Sequence, residues 1–175
     1  ALMQQPKYRF KCASCDEWHE GIPGWGWNFP PEYFFVPEEE REDRCFLTTD
    51  LCVVDDKSFY VCGCLELPVI GSPDILSLRV WVSLSEQNFF EFQDLLGVEH
   101  RSHHGPYFGW LSVPIPTYPE TVNLKTMVHI RDDGIRPYIE LEPTDHPLSI
   151  EQRSGVGPGR IQELYDYFEH RRGEG

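Results

Sequence analysis

Hydrophobic and polar residues alternate along much of the chain, and this period of two is typical of half-buried β-strands. The alternation predicts two short strands within residues 8–20, a hairpin from 51–54 and 59–67, a strand over 78–82, and a second hairpin from 122–131 and 136–142. Asp55-Asp56-Lys57 and Asp132-Asp133-Gly134 contain residues preferred in tight turns, so each is expected to connect the two strands of one hairpin.

Three segments carry helical signals. Residues 37–43 begin with Pro and continue with acidic residues, which is typical of a helix N-terminus. Ser83-Leu84-Ser85-Glu86 has the pattern of a capping box, and the apolar residues after it share one helical face: Phe89, Phe92, Leu95 and Leu96. A final helix is predicted over 159–172, with a buried stripe of Ile161, Leu164, Tyr165 and Phe168. The sum predicts an α+β fold, a largely antiparallel β-sheet with two or three helices.

The length and composition indicate one folded, acidic domain. A chain of 175 residues fits a single domain over residues 1–175, with the 8–20 hairpin packed on it and 173–175 as a disordered tail. Aromatic residues make up 14% of the chain, which excludes a disordered acidic segment. The formal net charge of -14 argues against binding to nucleic acid or to an anionic membrane.

The sequence also predicts that the protein is soluble and cytoplasmic. Its start lacks the basic region followed by an apolar region that marks a secretory signal. The longest uncharged run, from Ser102 to Pro119, contains four prolines and is therefore not expected to form a membrane helix.

A zinc site is the clearest chemical prediction. Cys12-Ala13-Ser14-Cys15 falls at the turn of the 8–20 hairpin, and such a zinc-knuckle-like turn places two thiolates on one edge of a tetrahedron. His19 follows on the returning strand, and Cys52 lies at the end of an acidic segment. The prediction is a closed structural Zn²⁺ site made of Cys12, Cys15, His19 and Cys52. A reduced thiol pair and a redox disulfide at Cys12 and Cys15 are the alternatives.

Two other groups of residues have a structural and a chemical interpretation. Cys45, Cys62 and Cys64 are expected to be buried thiols that pack as small apolar groups. A polar cluster in the C-terminal half contains the residue types of general acid/base catalysis, namely Glu140, Glu142, Asp145 and His146. A salt-bridged sheet face is the favoured interpretation of this cluster, because no nucleophile motif or phosphate loop accompanies it.

Several segments resemble a bacterial family of unknown function, the one numbered 2199. The resemblance rests on Phe10–Cys15 with His19, on 49–55, 81–89, 107–111 and 118–121, on Arg136-Pro137, and on 140–148 and 151–156. It spans roughly residues 8 to 165 and implies a bacterial cytosolic origin, without an established activity. Cys12, Cys15, His19 and Cys52 belong to the family pattern, which supports the zinc prediction. The chain departs from the pattern at Val61-Cys62-Gly63, where an Arg is expected before the Gly.

These observations favour a zinc-stabilised, non-enzymatic protein-binding module, such as an immunity or inhibitor protein against a basic toxin. The acidic run from Glu32 to Asp56 would steer a basic partner, and exposed aromatic residues would anchor it, although a solvated face is the favoured interpretation of such a run. One alternative is a metal-dependent or acid/base hydrolase using Glu140, Glu142, Asp145 and His146. The other is a thiol redox sensor using Cys12 and Cys15.

Overall fold

The computed structural model describes residues 7–171, so the predicted tail at 173–175 lies outside the described residues. Two strands form a separate N-terminal hairpin: β1 (Arg9–Lys11) and β2 (Trp18–Glu20). Eight further strands form the main sheet: β3 (Trp25–Gly26), β4 (Cys45–Leu47), β5 (Leu51–Val54), β6 (Ser58–Pro68), β7 (Ile75–Leu84), β8 (Tyr107–Leu111), β9 (Lys125–His129) and β10 (Tyr138–Leu141).

The helices are short. Within residues 7–171 the α-helices are α1 (Pro31–Phe35), α2 (Arg41–Arg44), α3 (Glu86–Leu95), α4 (Pro147–Ser154) and α5 (Pro158–Tyr165). A 3₁₀ turn over Glu38–Glu40 precedes α2, and a π-helix over Asp166–Arg171 continues α5. No helix in this part of the chain is long and apolar enough to cross a membrane.

The main sheet closes on itself. Its strand order is β3-β7-β8-β9-β10-β6-β5-β4, and β6 also pairs with β7, so β6 to β10 form a ring. The β10–β6 and β3–β7 pairs are parallel, and the other pairs are antiparallel. The predicted α+β fold with a largely antiparallel sheet is therefore confirmed, although it has more helices than the two or three expected.

Local patterns account for the predicted hairpins. Asp55 and Asp56 have φ of 53° and 51°, the left-handed conformation that a tight hairpin turn requires and that Asp tolerates. In the longest hairpin, β6 and β7, alternate residues such as Leu65 and Leu78 are fully buried. These alternate positions face the inside of the ring and form one part of the core, and Cys62 and Trp81, on the opposite face of the same two strands, are buried as well.

The start of α3 and the end of the final helix differ from the sequence prediction. Ser83 belongs to β7 and does not cap a helix; Ser85 is the N-cap of α3, and its hydroxyl accepts a hydrogen bond from the Asn88 N–H. The capping box was displaced because pairing with β6 keeps the chain extended through Leu84. The final helix has the four predicted buried residues, but it changes to π winding after Tyr165.

Candidate metal centre

The N-terminal hairpin turn presents two cysteines. The Cys12 N–H donates to the Glu17 carbonyl at 2.8 Å, and the Asp16 N–H donates to the Cys12 carbonyl at 3.0 Å. Asp16 closes the turn with φ of 58°. Cys12 is 1% exposed and Cys15 is half-buried, so the two thiols are the inner side chains of a turn whose other residues are exposed.

Four side chains converge at this turn. One potential ligand atom from each of Cys12, Cys15, His19 and His170 lies within 4.8 Å of all the others. Cys12 Sγ is 3.3 Å from His170 Nε2, and Cys15 Sγ is 3.2 Å from His19 Nε2. In a tetrahedral zinc site the S···N edge is about 3.5 Å, as follows from Zn–S and Zn–N distances of about 2.3 and 2.0 Å. The group therefore has the dimensions of a Cys2His2 metal site.

Helix α5 supplies hydrogen bonds to two of these residues. The Tyr165 hydroxyl is 3.1 Å from His19 Nδ1, which leaves Nε2 directed at the thiols. The Gln162 amide nitrogen donates to Cys12 Sγ at 3.6 Å. Metal-binding His residues usually have such a partner on the second ring nitrogen, because it fixes the ring and its tautomer.

The π-helix positions His170. Trp25 from β3 stacks on Phe168 with ring centroids 5.1 Å apart, and its indole N–H donates to Glu169 at 2.7 Å. Ser14 in the hairpin turn hydrogen-bonds Asp166, at the start of the π segment. These contacts hold the π-helix against β3 and the hairpin turn. π segments are often found at functional sites.

The two thiols differ in acidity. Burial opposes ionisation of Cys12, but the N–H groups of Cys15 and Ser14 and the Gln162 amide stabilise the thiolate and lower the Cys12 pKa to about 6. The Glu17 N–H lowers the pKa of Cys15, but burial and the neighbouring Cys12 raise it above its usual range. The turn thus favours one thiolate at neutral pH, which is the form that binds a metal.

The structure does not bring Cys52 into this group. Cys52 lies on β5 opposite Tyr60 of β6 and is 0% exposed, and burial raises its pKa to about 12. The fourth position is filled by His170, which is 158 positions from Cys12 in the sequence. Sequence reasoning missed His170 because the end of the predicted helix was interpreted only by its apolar stripe.

Among the remaining three cysteines, Cys62 matches the predicted burial and the other two do not. Cys62 is fully buried, and burial raises its pKa to about 12, so it is a neutral thiol. Cys45 and Cys64 are only half-buried, which corrects the expectation that both are core residues. All six cysteines are free thiols.

The acidic residues of the C-terminal cluster have structural partners or face solvent. Glu140 contacts His129 Nε2 at 3.0 Å and Arg153 at 3.6 Å, which matches the salt-bridged sheet face favoured above. Glu142 and Asp145 are exposed. In the part of the chain that the structure describes, these acids form no group with the dimensions of a metal site.

His146 is occupied at both ring nitrogens. Its Nδ1 accepts a hydrogen bond from the Leu148 N–H at 3.1 Å, which caps α4. Its Nε2 lies 3.0 Å from the Glu120 carbonyl and donates to it in the tautomer that leaves Nδ1 free to accept. The ring therefore holds α4 and the 117–121 loop in place, a structural role.

No curated protein and no solved structure matches the chain. The model of a protein family described as uncharacterised protein conserved in bacteria, DUF2199, matches residues 11–156. The matched part contains Cys12, Cys15 and His19, whereas His170 lies beyond it. Because the match extends over well more than half of the chain, the protein belongs to the DUF2199 family.

Proposed function

We propose that Cys12, Cys15, His19 and His170 bind a structural Zn²⁺ ion, and that the protein so stabilised is a non-enzymatic module that binds a basic protein partner. The observation that carries the metal proposal is the convergence of four ligand atoms within 4.8 Å from the two ends of the described chain. The ion would join the N-terminal hairpin to the C-terminal helix.

The donor set favours zinc and a structural role. Two thiolates and two imidazoles in tetrahedral arrangement suit Zn²⁺, whereas Mg²⁺ and Ca²⁺ prefer oxygen ligands. Four protein ligands complete the coordination of zinc, and a catalytic zinc keeps one position for water. His19 Nε2 and Cys15 Sγ already lie at contact distance, so binding needs little rearrangement.

The metal content of protein purified without a chelating tag, measured by native mass spectrometry, tests this proposal. We expect one zinc per chain, lost in His170→Ala and retained in Cys52→Ser and in His103→Ala, which removes an exposed histidine elsewhere. Wild-type protein without metal would contradict the proposal, and a reversible Cys12–Cys15 disulfide would then favour the redox alternative. Loss of zinc in Cys52→Ser but not in His170→Ala would restore the ligand set expected from the sequence.

The partner proposal is supported by the edge of the main sheet. Strand β4 pairs with β5 on one side and ends the strand order on the other. Its central residue, Phe46, is 50% exposed and lines a groove of about 350 Å³ with Val53 and three acids, Asp43, Asp55 and Asp56. Arg44 also lines the groove, but its charge is neutralised by Asp55. The Asp55 carboxylate accepts hydrogen bonds from Arg44 Nε and Nη2 at 2.8 and 2.9 Å.

An edge strand with an apolar side chain beside it can bind an extended segment of a partner protein, which then pairs with β4 as a further strand of the sheet. Because acidic residues outnumber basic ones in this groove, a basic segment suits it best. Opposite charges speed the encounter with the partner and fix the register in which it binds. A basic toxin has this chemistry, and the immunity hypothesis is the narrower form of the same proposal.

Titration of the protein with an extended Lys-rich peptide, followed by fluorescence anisotropy, tests the partner proposal. We expect saturable binding that weakens in Phe46→Ser and in the double variant Asp43→Asn, Asp56→Asn. Phe90→Ser, at an exposed position on α3, serves as the matched control and should bind normally. Equal binding of a Glu-rich peptide of the same length, or no saturation, would contradict the proposal.

A further inference from the structure

Three neighbouring strands place two arginines and a cysteine side by side. Cys64 on β6 lies opposite Arg79 on β7, and on its other side Cys64 pairs with Tyr138 of β10. The Cys64 N–H donates to the Pro137 carbonyl at 2.8 Å, which brings Arg136 beside it. These residues lie on the outer face of the ring, because the alternate residues Leu65 and Leu78 face the core.

Arg79 and Arg136 both line one pocket of about 290 Å³, together with Cys64, Ser77 and residues 24–26. Both also act electrostatically on the buried Cys62 thiol, where they oppose the rise in pKa that burial causes. The segment 24–26 approaches closely: a Cβ on Gly26 would lie 2.5 Å from the Arg79 Cβ.

Most of the donors on these arginines are unused. The protein has 29 acidic and 15 basic residues, yet no ion pair within residues 7–171 involves Arg79. The side-chain partner of Arg79 is the neutral Asn28 amide oxygen, at 2.7 Å. Arg136 forms an ion pair with Asp50 through Nε at 3.1 Å, so Asp50 offsets its charge while the other N–H groups of Arg136 stay available. A guanidinium has five N–H donors, so both groups retain donors for a ligand.

We propose that Arg79 and Arg136 form a binding site for a small oxyanion, the carboxylate or phosphate group of a small molecule. The planar guanidinium fork matches the two oxygens of either group. Arg79 supplies a charge that no carboxylate pairs, and Arg136, although paired with Asp50, supplies further N–H donors. The Ser77 hydroxyl and Cys64 thiol add polar groups to its wall. A second depression of about 420 Å³, lined by Arg79, Asn28, Thr48 and Thr49, leaves room for the remainder of the molecule. This site uses none of the metal ligands, so it stands independently of the zinc proposal.

Isothermal titration at constant ionic strength tests the site, with inorganic phosphate and citrate as the two probes and chloride as the reference. We expect one saturable site per chain for at least one probe, and the stronger probe identifies the class of oxyanion. Arg79→Gln and Arg136→Gln should each weaken binding by about tenfold or more, the usual effect of removing a charge-assisted hydrogen bond. Lys57→Gln, which removes an exposed cation in the β5–β6 turn, should leave binding unchanged.

The variant Arg79→Lys helps to distinguish a direct loss of anion binding from a loss caused by misfolding. Lysine keeps the charge but not the fork, so we expect it to bind more weakly than wild type and more tightly than Arg79→Gln. The zinc content and circular dichroism spectrum of each variant are recorded first, so that failure of the metal site is separated from failure of the anion site. No saturation with either probe, or equal weakening in Lys57→Gln, would overturn the proposal.

Discussion

The β6–β7 hairpin and the β1–β2 hairpin have the same topology but are stabilised differently. Ten residue pairs join β6 to β7, and every second residue of this hairpin faces the core, with Leu65, Leu67, Leu76 and Leu78 at 0% exposure. Three pairs join β1 to β2, where Phe10 is the buried strand residue and Trp18 is 61% exposed.

The comparison separates stabilisation by burial from stabilisation by ligation. Each buried leucine contributes roughly 1.5–3 kcal/mol, so the long hairpin is stable through its side chains. An isolated short hairpin is marginal in water. The N-terminal hairpin is held by contacts with the C-terminal helix, such as Phe10 against Tyr165 with ring centroids 5.1 Å apart, and the proposed zinc ion would add four bonds to them.

A core substitution should give the largest effect on global stability. Trp81 of β7 is 1% exposed, and its indole N–H donates to the Trp27 carbonyl at 2.9 Å. We expect Trp81→Ala to lower the free energy of unfolding by about 3–5 kcal/mol, because it leaves a cavity and an unpaired carbonyl. Urea denaturation measures the change. Trp110→Ala on the outer face of β8, where the side chain is 41% exposed, should cost less than about 1 kcal/mol. Similar losses in both variants would contradict the assignment of the core.

Metal removal should have a local effect. With a chelator present, we expect amide protons in residues 9–20 and 166–171 to exchange faster, because the zinc ion no longer joins these two segments. Protection in β6 and β7 should persist, since burial stabilises those strands. Hydrogen exchange measured by mass spectrometry resolves the two regions. A uniform loss of protection would show that the ion stabilises the whole fold, and no change would remove its structural role.

The hydrogen bond to His19 should have a smaller effect that is confined to the metal site. Tyr165→Phe removes the hydroxyl that lies 3.1 Å from His19 Nδ1 and keeps the ring in place. We expect zinc affinity to fall by about 10–100-fold, as measured by competition with a chromophoric chelator. Tyr167→Phe, two positions along at a 43% exposed side chain, is the matched control and should bind zinc normally. Equal affinities in all three proteins would exclude a role for this hydrogen bond.

Local patterns predicted the parts of the fold that depend on neighbours in the sequence. Alternation and turn residues identified the β5–β6 and β9–β10 hairpins, and helical spacing identified the buried face of α3. The ring could not be predicted, because it closes through the parallel pairing of Cys64 with Tyr138, for which no local pattern exists. Trp25 and Gly26 are too few residues to show a period, so β3 was missed as well.

The same limit of local sequence patterns explains why the candidate metal site was only partly predicted. Cys12, Cys15 and His19 lie within one turn of chain, and their spacing alone predicted that they come together. The fourth residue depends on where the C-terminal helix packs, and neither Cys52 nor His170 has a local signal that decides between them. Arg79 and Arg136 were likewise ordinary strand and turn residues until the pairing of β7, β6 and β10 placed them in one pocket.

Lowering the pH should reduce the stability of the fold through protonation of Asp132, which lies between β9 and β10. This is the smallest of the expected effects. The N–H groups of Arg101 and Ser102 donate to Asp132 Oδ1 at 2.7 and 2.6 Å, and they lower its pKa below the ordinary value of 3.8. A carboxyl with a lowered pKa in the folded state contributes stability above that ordinary value and loses it as the pH falls through the folded pKa. Asp132→Asn should therefore be less stable than wild type at pH 7, and the difference should shrink as the pH falls below about 4.

Thermal unfolding of the metal-free protein as a function of pH isolates this effect of Asp132 from protonation of the zinc ligands. Asp133→Asn is the matched control, because it keeps Asp132 and its hydrogen bonds and asparagine tolerates the φ of 59° at this position, so its stability at pH 7 should stay close to the wild type. A constant difference between Asp132→Asn and wild type across this range would show that the loop is held by geometry rather than by the charge of Asp132.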